Sequence, residues 1–352
     1  MSIYIVDIGL GNRCNFRCRY CFEQKSEIAY TDTTYTEEIF IKTCEYIDYI
    51  LNNILQKQDR LCITFYGGEP LLYIDTILKF TNKFKSRIYK YNIVTNGYLL
   101  DTYLDKLLYI RSSGCSLKIQ VSYDYYLQNK NRQSNSYEKV RNNIKLLHKH
   151  KFKCNTISVF PYSDLEYFDK VFFDILDLKK ELPKLYTVFN VDRSNTSNTV
   201  FNEELCIPAF TKVKEYLDSN NLDNFLLYNG RCGNRTETTK FCMTGNVYTA
   251  IDSLGNIYPT YNVIYTRPEL QELIRYGTVF QDFGSVTNYR NNLISSLNFT
   301  LPDKCNTCNV PCRVFPWSTI KTSLNEFNGL PSEDHCKVHK FINKYLGYSC
   351  NV

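Results

Sequence analysis

The chain has 352 residues, 43% of them hydrophobic and 22% charged, an ordinary globular composition with room for one large domain and a smaller one. No run of 18 apolar residues occurs, and the start from Met1 to Asp7 has no basic stretch ahead of a long apolar one. The expectation is therefore a cytoplasmic protein with no membrane span and no secretory signal. The net charge of +6 is scattered; its densest run, Lys145 to Lys153, reads as a solvated face and gives no reason to expect nucleic acid as a partner.

Taken in chain order, residues 3–8 read as a strand. Residues 36–56 read as a helix with Phe40, Ile47, Ile50, Leu51, Ile54 and Leu55 on one face, and Thr34 with Glu37 as its capping box. Strands follow at 61–66, 91–95, 117–122, 153–160 and 184–191. Helices alternate with them at 73–86, 101–112, 136–149 and 164–178. Six strands separated by helices imply parallel pairing through right-handed crossovers. The expected fold is α/β: a partial, TIM-like (β/α)6 barrel, with a doubly wound sheet as the second choice. Either way the chemistry belongs at the carboxyl ends of the strands. Beyond residue 200 the pattern changes, with a helix at 203–219 and a hairpin of strands 247–251 and 257–261 around Gly255. After residue 300 cysteines crowd together and regular periodicity fades. The chain divides into a core at 1–200, a linking helical region at 201–240 and a cysteine-rich domain at 241–352.

Fifteen cysteines, an odd count in a chain with no signal peptide, point to metal rather than disulfides. Cys14, Cys18 and Cys21 form a C-x3-C-x2-C ladder just after the first strand. Three thiolates can hold three irons of a cubane and leave the fourth iron open to a cofactor or substrate. A structural zinc site is closed by four ligands, and no histidine lies near these three cysteines. Cys305, Cys308, Cys312 and Cys336 make a second set of four, which suits either a closed zinc site or a saturated [4Fe–4S] cluster.

The stretch Gly11-Asn12-Arg13-Cys14-Asn15-Phe16-Arg17-Cys18-Arg19-Tyr20-Cys21-Phe22 resembles the cluster loop of the radical S-adenosylmethionine (SAM) superfamily, aromatic residue before the last cysteine included. Gly67-Gly68-Glu69-Pro70 after the second strand, Asn96 after the third, and Ser122 and Arg132 around the fourth resemble further elements of that family. The resemblance implies an enzyme with a [4Fe–4S] cluster on Cys14, Cys18 and Cys21, and SAM chelating its open iron. Reductive cleavage then gives a 5′-deoxyadenosyl radical. Tyr20 lines the adenine side, Gly67 and Gly68 let the backbone approach the cofactor, Glu69 takes its ammonium, and Asn96, Ser122 and Arg132 complete the contacts.

The C-terminal cysteines resemble a degenerate SPASM or twitch domain, the auxiliary-cluster module of family members that act on peptides and proteins. Cys242 and Gly255 fit its opening, but Thr260 stands where a cysteine is usual, and Pro316 where another would follow. The surviving set Cys305, Cys308, Cys312 and Cys336 implies one auxiliary [4Fe–4S] cluster. The resemblance further implies modification of a ribosomally made peptide or protein by crosslink, thioether or epimerisation. It also implies an electron donor such as flavodoxin or ferredoxin. Since no extra domain precedes the first strand, a separate leader-binding protein is a possible partner. A formylglycine-forming anaerobic sulfatase maturase is the alternative within enzymes, and a non-catalytic zinc-binding interaction protein the alternative outside them.

Overall fold

The computed structural model describes residues 2–21, 23, 35–192, 198–222, 227–228, 248–261, 271–296, 308 and 333–346. Six parallel strands form its centre: β1 (Ile3–Gly9), β2 (Arg60–Tyr66), β3 (Lys90–Thr95), β4 (Leu117–Ser122), β5 (Lys153–Phe160) and β6 (Tyr186–Val191). Between them run α1 (Glu37–Tyr49), α2 (Ile74–Phe84), α3 (Leu104–Ser112), the short α4 (Gln128–Asn131), α5 (Tyr137–Lys149) and α6 (Phe168–Glu181). This is the expected α/β partial barrel.

The strands alternate cleanly between two faces. On β1, Tyr4, Val6 and Ile8 are buried; Tyr46 of α1 is buried with them, and Arg290 of the helix Phe283–Ser296 covers the Tyr4 ring. Leu61, Ile63 and Phe65 of β2 face the same helical layer, where Phe65 meets Phe80 of α2 at 5.7 Å. Burying Ile74, Ile77, Phe80 and Phe84 of α2 contributes roughly 1.5–3 kcal/mol per side chain. The opposite, concave face carries Asp7, Thr64, Asn92, Lys118, Gln120, Ser122 and Asn155 together with Ile5, Cys62, Val94, Ile157, Val159 and Val188, so the inner side of the barrel mixes polar and apolar groups.

Several boundaries differ from the expectation. The first helix is capped by Thr36, whose side chain accepts from the Ile39 N–H, and the expected cap Thr34 lies outside the described residues. That helix ends at Tyr49 and widens into a π turn over Ile50–Ile54, which keeps Ile50 fully buried at its entry. Helix α2 is preceded by a 3-10 turn, Pro70–Tyr73, because Glu69 caps the segment by accepting from the Leu71 N–H.

The sheet also continues past the six strands. Its order is β10-β9-β8-β1-β2-β3-β4-β5-β6-β7. Strand β7 (Leu227–Tyr228) adds to β6 and β8 (Tyr248–Ile251) adds in parallel to β1. Then β9 (Asn256–Tyr258) and β10 (Gly277–Thr278) follow antiparallel. The hairpin expected around Gly255 is therefore present, and it extends the barrel sheet. Helix α7 (Glu203–Ser219) has the expected bounds, capped by Asn202. The helix Glu333–Leu346 lies where periodicity was expected to fade; its His335, Val338, His339, Phe341 and Ile342 are buried. Cys305, Cys312, Cys232, Cys242 and Pro316 lie outside the described residues. Among the described residues, no helix is long and apolar enough to cross a membrane.

Candidate active site

Each of the first four strands hands its carboxyl end to one part of the site. The loop after β1 carries Cys14, Cys18 and Cys21, and the turn after β2 carries Gly67, Gly68 and Glu69. Asn96 follows β3, Ser122 ends β4 and Asp124 follows it.

The cysteine loop and the glycine turn are sewn together through backbone. Leu10 N–H donates to the Tyr66 carbonyl at 3.0 Å, Gly68 N–H to Gly11 at 2.9 Å and Glu69 N–H to Arg13 at 2.8 Å. This approach needs glycine. Gly67 has φ +134°, and a Cβ on Gly68 would stand 2.4 Å from the Arg13 carbonyl and 2.5 Å from that of Asn12.

Glu69 is fully buried and its carboxylate is engaged three times. It accepts from Leu71 N–H at 3.0 Å, the Thr95 hydroxyl at 2.7 Å and Asn96 N–H at 2.8 Å. Burial raises its pKa, and those donors oppose the rise. Asn96 carries the link onward: its amide donates to Asn15 Oδ1 at 2.8 Å and reaches Cys14 Sγ at 4.0 Å.

The cysteine loop fits an iron–sulfur cluster. Cys14, Cys18 and Cys21 are in no disulfide, and each is half-buried. Phe16 N–H points at Cys14 Sγ, 3.4 Å away. Burial pushes the Cys14 thiol up to about 12; the Phe16 N–H pulls the other way, and Glu69, Cys18 and Cys21 add to the rise. Three mutually repelling, dehydrated thiols become thiolates only on a strongly cationic partner. Among the described residues, no three His, Cys, Asp or Glu side chains converge on a single metal ion. A cubane asks for something else, one thiolate at each of three corners.

On the far side of the loop lies a trio that local spacing does not reveal. The Tyr20 phenol donates to Asp124 Oδ2 at 2.5 Å and accepts from Arg132 Nη1 at 2.7 Å. Asp124 also accepts from Val159 N–H at 3.1 Å. Burial raises the pKa of Asp124, with Arg132 and Tyr20 opposing it. Burial works against charge on Arg132 too, but Cys18, Tyr20 and Asp124 hold it firmly protonated. Arg132 thus places its charge beside the cysteine loop, and its Nε is buried without a partner. Ser122 is half-buried on the concave face.

Of the residues singled out from sequence, Cys14, Cys18, Cys21, Tyr20, Gly67, Gly68, Glu69, Asn96, Ser122 and Arg132 all gather at this end of the sheet. Cys308 and Cys336 are half-buried and in no disulfide, the latter on the helix Glu333–Leu346. The sequence reading passed over Asp124, although an acid immediately after a barrel strand is a usable signal. It also passed over Asp7, whose buried carboxyl accepts from the Tyr248 phenol.

A strand-by-strand set of loops at the carboxyl end of a parallel barrel, led by a three-cysteine ladder, is the layout of a SAM-cleaving iron–sulfur enzyme. Residues 8–175, just under half of the chain, match the radical SAM superfamily. The family uses a [4Fe–4S] cluster and SAM.

The chain is similar to the radical SAM cyclopropyl synthase TigE of Paramaledivibacter caminithermalis, 26% identical over 54% of this chain and 44% of that protein; it thus spans less than half of that relative's length. It is also similar to a cysteine-type anaerobic sulfatase-maturating enzyme of Clostridium novyi, 24% identical over 85% of this chain and 83% of the relative. Two solved structures share the fold. One is anSMEcpe with bound AdoMet and Cp18Cys peptide, with TM-score 0.65, 16% identity and coverage of 98% and 96%. The other is Streptococcus suis SuiB bound to its precursor peptide SuiA, with TM-score 0.63, 14% identity and coverage of 87% and 70%.

Proposed function

We propose that this chain is a radical SAM enzyme that modifies a ribosomally made peptide or protein. The observation that carries the reading is the backbone stitching of the Cys14–Cys21 loop onto Gly67-Gly68-Glu69, with Asn96 and Arg132 closing two further sides. In this reading Cys14, Cys18 and Cys21 hold the cluster. Gly67, Gly68, Asn96, Ser122 and Arg132 face SAM. When bound, the pair supplies an electron that breaks a carbon–sulfur bond of SAM, giving a radical able to take hydrogen from an unreactive carbon.

The protein's part is position and exclusion of water. Glu69 is a positioning residue, because its buried carboxylate ties Asn96 and the glycine turn into one unit. The Tyr20–Asp124 pair holds Arg132 beside the cysteine loop, where its guanidinium would pair with a carboxylate of the cofactor. Cys305, Cys308, Cys312 and Cys336 are proposed ligands of one auxiliary [4Fe–4S] cluster. A peptide substrate is supported by the two structural neighbours solved with peptides.

A second reading, formylglycine formation, is favoured by the long match to the C. novyi sulfatase-maturating enzyme. Thr260, in place of an expected cysteine, stands against it.

Anaerobic reconstitution with iron, sulfide, dithionite and SAM tests the proposal. The expected result is 5′-deoxyadenosine, with about eight irons per chain, and loss of both the product and about four irons on Cys18→Ala. A protein that binds zinc instead and forms no 5′-deoxyadenosine would sink it.

A further inference from the structure

The amino-terminal end of the same sheet carries features that the cofactor face does not use. Arg60, Lys90 and Lys153 open β2, β3 and β5, and Lys118 is the second residue of β4. In register, Lys90 lies beside Cys62, Lys118 beside Asn92, and Lys153 beside Lys118. Leu61, Tyr91 and Leu117 turn to the helices, so these four cations stand on the concave side. The stepwise register follows the stagger of a barrel rim.

Among the described residues, none of the four has a carboxylate within ion-pair distance. Arg60 and Lys90 both lie over the Tyr89 ring, at 5.7 and 6.0 Å. Loss of water, and then Lys90 nearby, hold the Lys118 ammonium below its usual pKa. Tyr89 and Tyr186 are half-exposed beside the rim.

Deeper in the hollow, oxygens wait for donors. Asn155 is 3% exposed and its Oδ1 has no hydrogen-bond partner; Asn92 Oδ1, Asn190 Oδ1 and Asp7 Oδ1 are likewise buried and unpartnered. Register puts Asn92, Asn155 and Asn190 on the concave side of β3, β5 and β6. Each such orphan destabilises the fold unless something donates to it. A peptide main chain offers one N–H per residue. The backbone of a nucleic acid offers none and its N–H groups sit on the bases, so a row of buried acceptors suits an extended peptide better, although the cations and tyrosines of the rim would attract either.

We propose that the barrel interior binds the substrate as an extended acidic peptide segment. It enters at the amino-terminal mouth, with its carboxylates on Arg60, Lys90, Lys118 and Lys153 and its main chain on Asn92, Asn155 and Asn190. This deepens the peptide-modifying reading and rests on it.

The test uses the reconstituted full chain and fluorescence anisotropy with three labelled probes: an alternating Glu–Gly peptide, its Lys–Gly counterpart and an oligothymidylate of similar length. The Glu–Gly peptide is expected to bind, and to weaken as salt rises. The Lys–Gly peptide is expected not to bind. Lys90→Glu with Lys118→Glu weakens the Glu–Gly peptide at least about tenfold. Asn155→Leu weakens it severalfold and leaves the salt dependence unchanged, a separation that a general loss of structure would not give. Melting curves check folding, and if the double reversal fails to fold, Lys118→Gln replaces it with a loss of about threefold. Equal binding of the two peptides, unchanged binding in the variants, or preferential binding of the oligothymidylate overturns the proposal. If a peptide is modified but these variants bind it like the parent, only the interior site falls. If SAM is cleaved while the products show a non-peptide substrate, the peptide reading falls instead.

Discussion

The two ends of one parallel sheet treat polar groups in opposite ways. At the carboxyl end the groups that shape the site are tied together by the chain itself: Glu69 has three donors, and Tyr20, Asp124 and Arg132 are linked in series, although Arg132 Nε and the Tyr123 hydroxyl stay unpartnered. At the amino end four cations have no carboxylate within ion-pair distance among the described residues, and further along the same face the Asn92 and Asn155 amide oxygens lack donors. The difference teaches that the groups of the cofactor face are fixed by bonds within the chain, whereas the cations at the opposite end are not held by acids of the described residues. Preorganisation is costly to disturb, so variants at the carboxyl end are expected to cost function heavily, and variants elsewhere to cost stability modestly.

The sharpest way to break the comparison is Gly68→Ala. Its Cβ would meet two backbone carbonyls that cannot move aside without pulling the cysteine loop from the glycine turn. SAM cleavage should fall by about a hundredfold or more, measured as 5′-deoxyadenosine per chain. Retained activity would mean that the stitching is incidental.

Tyr20→Phe comes next. It removes the hydroxyl between a buried carboxyl and a guanidinium, at a cost of roughly 1.5–3 kcal/mol for charged hydrogen bonds. Weaker SAM binding in titration calorimetry is expected, together with a lower denaturation midpoint.

The pH dependence of stability sharpens the contrast from another side. Burial pushes the Asp7 carboxyl up to about 7, against about 4 in an unfolded chain, with the Tyr248 phenol opposing. The folded state therefore holds a proton that the unfolded state releases. The Asp7 contribution to stability is fully present below about pH 4 and is lost as pH rises to about 7. Glu23, also pushed up to about 7 by burial, acts in the same direction. Asp7→Asn should make the decline of melting temperature across that window shallower, leaving the part due to Glu23. An unchanged slope would mean that Asp7 is not dehydrated in solution.

The smallest effect belongs to a residue remote from both ends. Thr36→Ala removes the cap of α1 and should lower stability by about 1 kcal/mol in a denaturant titration, with SAM cleavage untouched.

How much of this was legible in the chain depended on the distance between partners. The cysteine ladder and Gly67-Gly68-Glu69 are short words, so their chemistry could be read in place. The alternation of strands and helices could be read for the same reason, each period being complete within a dozen residues. The Tyr20–Asp124 bond joins residues 104 apart and the Tyr248–Asp7 bond joins residues 241 apart, and no local pattern marks either. The continuation of the sheet through β8 was hidden likewise, since a four-residue strand does not announce which edge it will pair with.

The sequence by itself determined the barrel's six-fold alternation, the thiol ladder and the glycine turn, because these depend on spacing along the chain. Only the tertiary structure decided that Glu69 is spent on Asn96 and Leu71, that Arg132 is steered by Tyr20 and Asp124, and that four cations share one mouth. Those outcomes depend on strand register and stagger, which bring together side chains that the sequence keeps far apart.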